Sequence, residues 1–106
     1  MAWIVLVVAG LLEAVWATAL SASAGLTQPV PSAVFAVATV LSVVGLGWSM
    51  RHIPTATAYA IWTGIGAVGT ALLGMYLFGE ARDAARLACI ALIVSGIVGL
   101  KLVSPE

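Results

Sequence analysis

Residues 2–20 read AWIVLVVAGLLEAVWATAL, an apolar run that contains a single charged residue, Glu13. The run is close to the ~20 residues that an α-helix needs to span the hydrocarbon core of a bilayer. An ionised side chain at that depth costs at least about 2.5 kcal/mol, so it normally faces protein or a water-filled cavity. We therefore interpret Glu13 as a site for a cation, a proton, or each in turn; the alternative is a protonated carboxyl that only bridges two helices.

The composition of the 106-residue chain indicates an integral membrane protein. Hydrophobic residues make up 63% of it and charged residues 8%, whereas a soluble domain carries about 25% charged residues. The net charge is zero and no basic block is present, which argues against a nucleic-acid partner or a polybasic lipid anchor. The sequence contains no metal-ligand spacing, phosphate loop or nucleophile–base pair, so neither a metal, a cofactor nor an enzyme activity is predicted.

Three further apolar segments follow the first, and together they predict four transmembrane helices in one domain over residues 1–106. The predicted spans are about residues 2–21, 31–50, 54–78 and 84–103. Backbone groups in lipid must be hydrogen-bonded internally, and the runs are continuous, so the predicted fold class is an all-α bundle and not a barrel. A cleaved signal peptide ending near Ala24 is disfavoured because no Lys or Arg precedes the first run.

The basic residues give no preferred orientation in the membrane. With four spans, Arg51 and Lys101 lie at one membrane surface, and Arg82 and Arg86 lie at the other. An equal count favours a chain that inserts both ways up and forms an antiparallel homodimer; the alternative is that one charge fixes a single orientation. Such a dimer would supply the inverted repeat that alternating access uses around a site near the membrane midplane.

Candidate site residues on the first two helices lie at a depth similar to that of Glu13. Gly10 and Trp16 are within one helical turn of Glu13, and the Trp16 indole N–H could donate to the carboxylate. Ser42 is near the middle of helix 2. The alternatives are that Trp16 faces lipid or packs in the core, and that Ser42 only hydrogen-bonds to its own helix.

Helix 3 carries an aromatic pair followed by three glycines. Tyr59 and Trp62 share a face and could supply a hydroxyl and an aromatic wall for a cation, or could simply pack in the bundle. Gly64, Gly66 and Gly69 predict a bend or hinge, with a close-packing surface as the alternative.

Helix 4 carries a row of small residues that we do not assign to substrate or proton binding. Ala91, Ser95 and Gly99 recur at a spacing of four, with Gly96 beside them. This pattern is typical of helix association in membranes, so we predict that it forms the dimer interface.

Three motifs resemble the small multidrug resistance family, over nearly the whole chain. They are Gly10-x-x-Glu13-x-x-Trp16, Pro54-x-x-x-Ala58-Tyr59-Ala60-x-Trp62-Thr63-Gly64-x-Gly66, and Gly96-Ile97-Val98-Gly99-Leu100-Lys101. Trp16 and the run from Trp62 to Gly66 are similar to the guanidinium exporters within that family. The multidrug subtype usually has a small residue at the position of Trp16.

The resemblance implies an antiparallel homodimer in the bacterial inner membrane that exchanges protons for a guanidinium-type cation. Glu13 would be the shared site for proton and substrate, and Trp16 and Ser42 would hydrogen-bond to it. Tyr59 and Trp62 would complete the pocket wall.

Two features depart from the family pattern. The link after helix 1 has no lysine between Leu20 and Gly25, where such proteins usually have one, and the run from Thr55 to Thr57 is more like the multidrug subtype. Two alternatives therefore remain, a broad exporter of quaternary ammonium compounds and one subunit of a heterodimer with a paralogue. A rotary-ring subunit also carries one membrane carboxylate, but it has two helices with the acid in the second.

Overall fold

The computed structural model describes residues 1–80 and 83–103. In that part of the chain it contains four α-helices and no strand: α1 (Ala2–Ala22), α2 (Pro29–Ser49), α3 (Thr55–Leu77) and α4 (Ala84–Val103). Each helix is long and apolar enough to cross a membrane. The predicted all-α four-helix fold is therefore confirmed. Arg82, which entered the predicted charge balance, lies outside the described residues.

The second helix begins at Pro29, slightly before the predicted start of the second span at residue 31. A proline is tolerated at this first helical position because its missing N–H would have no acceptor within the helix there. The backbone N–H of Ser32 donates to the carbonyl of Gln28 at 3.1 Å and closes the first turn. The helix thus includes prolines that the apolar pattern alone assigned to the link.

The link between α1 and α2 is a compact turn held by one serine. Ala24, Gly25 and Leu26 all have positive φ angles, of 51°, 74° and 70°, a region that non-glycine residues rarely adopt. The buried Ser23 hydroxyl donates to the carbonyl of Leu20 at 2.7 Å and accepts the N–H of Leu26 at 2.9 Å. These bonds help to hold the unusual backbone of the turn in place.

The first helix is central, because it packs against both α2 and α3. Glycines allow this close approach: a Cβ on Gly45 would lie 3.1 Å from Ala9 Cβ, and one on Gly69 would lie 2.7 Å from Ala14 Cβ. Small residues at such crossings let membrane helices approach closely enough for van der Waals contact along the backbone. The result is a core that the first three helices share, built around Leu6, Ala9, Leu46, Ile53, Ala58, Ile61 and Trp62.

The fourth helix is attached to one side of this core. Within the described residues, α4 packs mainly along α3, and none of its residues is buried. At its end, the Nζ of Lys101 lies 4.6 Å from the ring centroid of Trp3. That contact brings the end of α4 next to the start of α1, as a four-span topology requires.

The molecule is consequently flat, with principal extents of 43 × 34 × 17 Å. The residues predicted to form the dimer interface lie on the uncovered helix: Ala91, Ser95 and Gly96 are exposed, and Gly99 is half-buried. A Cβ on Gly96 or Gly99 would meet no atom within 4 Å. Their role in a dimer remains a prediction that the single chain does not test.

Candidate functional site

Glu13 lies near the middle of α1, and its carboxylate rests directly on Gly66 of α3. A Cβ on Gly66 would overlap the carboxylate and would lie 2.7 Å from Cγ of Glu13. Any side chain at residue 66 would therefore displace the acid. Gly66 is the position that lets α1 and α3 enclose a charged group between them.

Glu13 and Trp16 both hold polar atoms without a partner. Glu13 Oε1 and Trp16 Nε1 are buried and make no hydrogen bond with any residue that the structure describes. Leaving a buried donor or acceptor unsatisfied costs about 1–3 kcal/mol, so native proteins rarely do so without a functional reason. An unpaired carboxylate oxygen in an apolar surrounding is the acceptor that a cation with N–H donors would bind.

The carboxylate opens onto a groove of about 440 Å³ along α3. This volume is in the range of small-molecule sites, which is about 300–1,000 Å³. Apart from two glutamates, its lining consists of small and hydroxyl-bearing residues: Glu13, Ala17, Thr63, Gly66, Ala67, Thr70, Ala71 and Glu80. The Thr70 hydroxyl donates to the carbonyl of Gly66 at 2.7 Å, so its oxygen keeps its lone pairs as acceptors.

Ser42 lies at the centre of a buried hydrogen-bond network next to Glu13. Its hydroxyl donates to the carbonyl of Ala9 at 2.6 Å and accepts the indole N–H of Trp62 at 3.0 Å. In an α-helix the backbone N–H of Glu13 donates to this same carbonyl of Ala9. The network therefore ties α2 and α3 to the turn of α1 that carries the acid. A bond from Ser42 to the carboxylate itself stays a prediction, and it would require the hydroxyl to leave Ala9.

The predicted aromatic residues are placed on different sides of the acid. The Trp16 ring packs edge-on against Phe35 of α2, with centroids 5.8 Å apart and an interplanar angle of 73°. Glu13 instead faces α3. Tyr59 and Trp62 form a tilted pair with centroids 5.7 Å apart; Trp62 is buried, while 54% of Tyr59 is exposed. Tyr59 thus lies at the edge of the protomer core, and Trp62 lies inside it.

The glycines predicted as a hinge all lie in an uninterrupted α3 and face neighbouring side chains. A Cβ on Gly64 would lie 2.9 Å from Cδ1 of Ile97, while Gly66 faces Glu13 and Gly69 faces Ala14. On α1, a Cβ on Gly10 would lie 2.8 Å from Cβ of Ile65. This arrangement matches the close-packing alternative, and a hinge motion at these residues remains a prediction.

Sequence reasoning did not identify Thr63, Thr70 or Glu80 as site residues. Thr63, Gly66 and Thr70 recur at intervals of three and four, which places them on one face of α3. That spacing was the available signal, but it does not reveal which neighbouring helix the face meets. Glu80 lies in the charged link after α3, where a carboxylate would ordinarily be only a solvated surface group.

Replacing Gly66 with Ala should reduce cation binding without unfolding the protein, because the clash falls on the flexible end of Glu13 and not on backbone. We expect at least about a tenfold loss of cation affinity, because one lost hydrogen bond to a charged group costs about 1.5–3 kcal/mol. Tryptophan fluorescence of the detergent-solubilised protein, titrated with guanidinium, would measure it.

Gly47→Ala is the matched control, because a Cβ on Gly47 would meet no atom within 4 Å. This variant should bind as the parent protein does. If the Gly66→Ala variant bound the cation as tightly as the parent protein, cation binding would not depend on the contact between Glu13 and Gly66.

Comparisons with known proteins show which proteins this chain is similar to. The family model described as "Small Multidrug Resistance protein" matches residues 1–93. A "Guanidinium exporter" from Citrobacter freundii is 53% identical over 102 residues, covering 96% of this chain and 97% of the relative. A protein of the same name from Yersinia pseudotuberculosis is 53% identical over 104 residues, covering 98% and 100%. One from Escherichia coli is 52% identical over 102 residues, covering 96% and 97%.

Proposed function

The chain belongs to the small multidrug resistance family, and from that premise we propose that it exports guanidinium-type cations in exchange for protons. It is a multi-pass protein of the bacterial inner membrane. One observation carries the proposal. The carboxylate of Glu13 lies in the middle of a membrane-spanning helix, with a buried oxygen that no described residue hydrogen-bonds.

The chemistry of the carboxylate suits a planar, permanently charged cation. Guanidinium presents N–H donors in a fixed plane, and two parallel N–H···O bonds to one carboxylate are the strong, directional form of this pair. Gly66 and the small residues of the groove leave room for a flat group to approach Glu13. A proton and the cation use the same oxygens, so binding of one excludes the other. That competition is the basis of the exchange.

Trp16 favours a small substrate over a bulky one. It lies on the turn that follows Glu13, packs against Phe35 on the α2 side and does not line the groove along α3; in the proposed site its ring turns toward the carboxylate and takes the space that a bulky substrate would need. In the proposed site the Trp16 indole N–H donates to the Glu13 carboxylate, which satisfies two atoms that are unpaired in the single chain. Tyr59 and Trp62 form the aromatic wall, and Ser42 holds the helix turn beneath the acid.

The working unit in this proposal is an antiparallel homodimer. A flat protomer in which no residue of α4 is buried does not by itself seal a groove from lipid and water. The small residues Ala91, Ser95, Gly96 and Gly99 would form the dimer contact, and a two-fold partner of opposite orientation would bring a second Glu13 to the central cavity. Alternating access around a shared site is how inverted repeats operate in transporters.

Currents from the purified chain in proteoliposomes on a solid-supported membrane would test this function. We expect guanidinium and guanylurea to drive proton-coupled currents, and tetraphenylphosphonium, a bulky aromatic cation, to drive none. Comparable currents from all three compounds would instead identify a broad multidrug exporter. No current from any of them would indicate that the chain requires a paralogue as its partner.

A further inference from the structure

The groove that begins at Glu13 ends at a second carboxylate, Glu80. Both residues line the same groove, and each rests on a glycine of α3. A Cβ on Gly66 would overlap the carboxylate of Glu13, and one on Gly74 would overlap the carboxylate of Glu80. The two glycines are eight residues apart, so at 1.5 Å of rise per residue the two acids are separated by about 12 Å along the helix.

The position of Glu80 follows from the way α3 ends. Gly79 has a φ of +64°, a left-handed conformation that glycine adopts without strain. It turns the chain back, and the backbone N–H of Glu80 donates to the carbonyl of Gly74 at 3.3 Å. The side chain therefore points back along α3 toward the groove, although the residue follows the helix and is exposed at the membrane surface.

The path between the two acids contains no bulky side chain. Thr63, Gly66, Ala67, Thr70 and Ala71 form the floor of the groove between α1 and the end of α3. On α4, Arg86 lines a separate pocket together with Glu80, and its Nε lies 4.0 Å from Oδ2 of Asp83. Asp83 does not line the groove. The link after α3 thus carries two acids in different positions, one over the groove and one paired with Arg86.

We propose that Glu80 is a further binding residue that captures the cation at the surface end of the groove before it reaches Glu13. This role rests on the proposed function. An exposed carboxylate at a groove mouth raises the local concentration of cations, and its field is screened by salt. The buried Glu13 then holds the cation, and Glu80 delivers it.

The test compares the concentration dependence of guanidinium currents in the parent protein, Glu80→Gln and Asp83→Asn. At an ionic strength of about 0.01 M, Glu80→Gln should raise the apparent KM about threefold, the Boltzmann weight of one unit charge ~6 Å away in water, and leave the maximum current unchanged. At about 1 M the difference should vanish, because the Debye length falls to about 3 Å. Asp83→Asn should leave KM unchanged at both ionic strengths.

Each other outcome overturns the inference. An unchanged KM in Glu80→Gln shows that Glu80 does not capture the cation. An equal rise in Asp83→Asn shows that the surface charge as a whole attracts it. A fall in maximum current without a change in KM assigns Glu80 to a later step. Absence of guanidinium current in the parent protein is a separate result, because it rejects the proposal that the chain transports guanidinium as a homodimer.

A second variant tests the position of the Glu80 carboxylate over Gly74 without removing its charge. Gly74→Ala places a methyl group where the carboxylate now lies, so it should move Glu80 away from the groove and raise KM at low salt as Glu80→Gln does. A salt-sensitive increase in both variants supports capture at this position. A parental KM in Gly74→Ala together with a raised KM in Glu80→Gln contradicts the claim that the position over Gly74 matters.

Discussion

Replacing Glu13 with Gln is expected to abolish both guanidinium transport and guanidinium-driven proton release. The amide is nearly the same size as the carboxylate, so it fits the space beside Gly66, but it has no charge and cannot exchange a proton. Each hydrogen bond to a charged group is worth about 1.5–3 kcal/mol, so loss of the charge in a two-bond contact should weaken binding by about a hundredfold or more. Transport in proteoliposomes and proton release in unbuffered detergent solution would measure the two effects.

Asp83→Asn makes the same chemical change at an exposed residue paired with Arg86, and it should leave both activities intact. Proton release that persists in Glu13→Gln would locate the coupling site on another residue. If Glu13→Gln still transported the cation but released no protons, the chain would still be a cation transporter. Competition between the proton and the cation at Glu13 would then be rejected as its mechanism.

The affinity for guanidinium should fall steeply as the solution becomes acidic. If a proton and the cation compete for the same carboxylate, the apparent Kd rises about tenfold for each pH unit below the pKa of that carboxyl group, or about a hundredfold over two units. In the proposed dimer the two Glu13 side chains titrate as a coupled pair, so the curve reports the pair and not a single residue. Fluorescence titrations from mildly acidic to alkaline buffer would give the slope.

His52 is the one histidine of the sequence, and it is therefore the residue to control. It is exposed in the link before α3, with its ring 4.8 Å from that of Trp48. His52→Gln should keep the full pH dependence of guanidinium affinity. An affinity that does not change with pH in the parent protein would remove the physical basis of the exchange.

The helices and the acid were predictable because each rests on a local property of the sequence. Apolar runs of sufficient length indicate spans, and a lone charge such as Glu13 stands out against them. The packing partners were not predictable, because lipid surrounds these helices and each is apolar on nearly every side. Periodicity then no longer distinguishes the face that meets protein from the face that meets lipid.

Three features of the site depend on which helix faces pack against each other. The bond from Ser42 to Ala9 joins residues 33 positions apart and exists only in one register of α1 against α2. The seat of Glu13 on Gly66 depends likewise on how α1 meets α3. Glu80 reaches the groove only because Gly79 turns the chain backward, which a charged link alone does not indicate.

The exposure of α4 has a thermodynamic consequence for the proposed dimer. A helix that buries no residue in the single chain gains further packing energy on association, so stability and pairing are linked by mass action. The melting temperature of the protein should then depend on the protein-to-lipid ratio. Adding lipid dilutes the protein and lowers its melting temperature, although every intrachain contact stays the same.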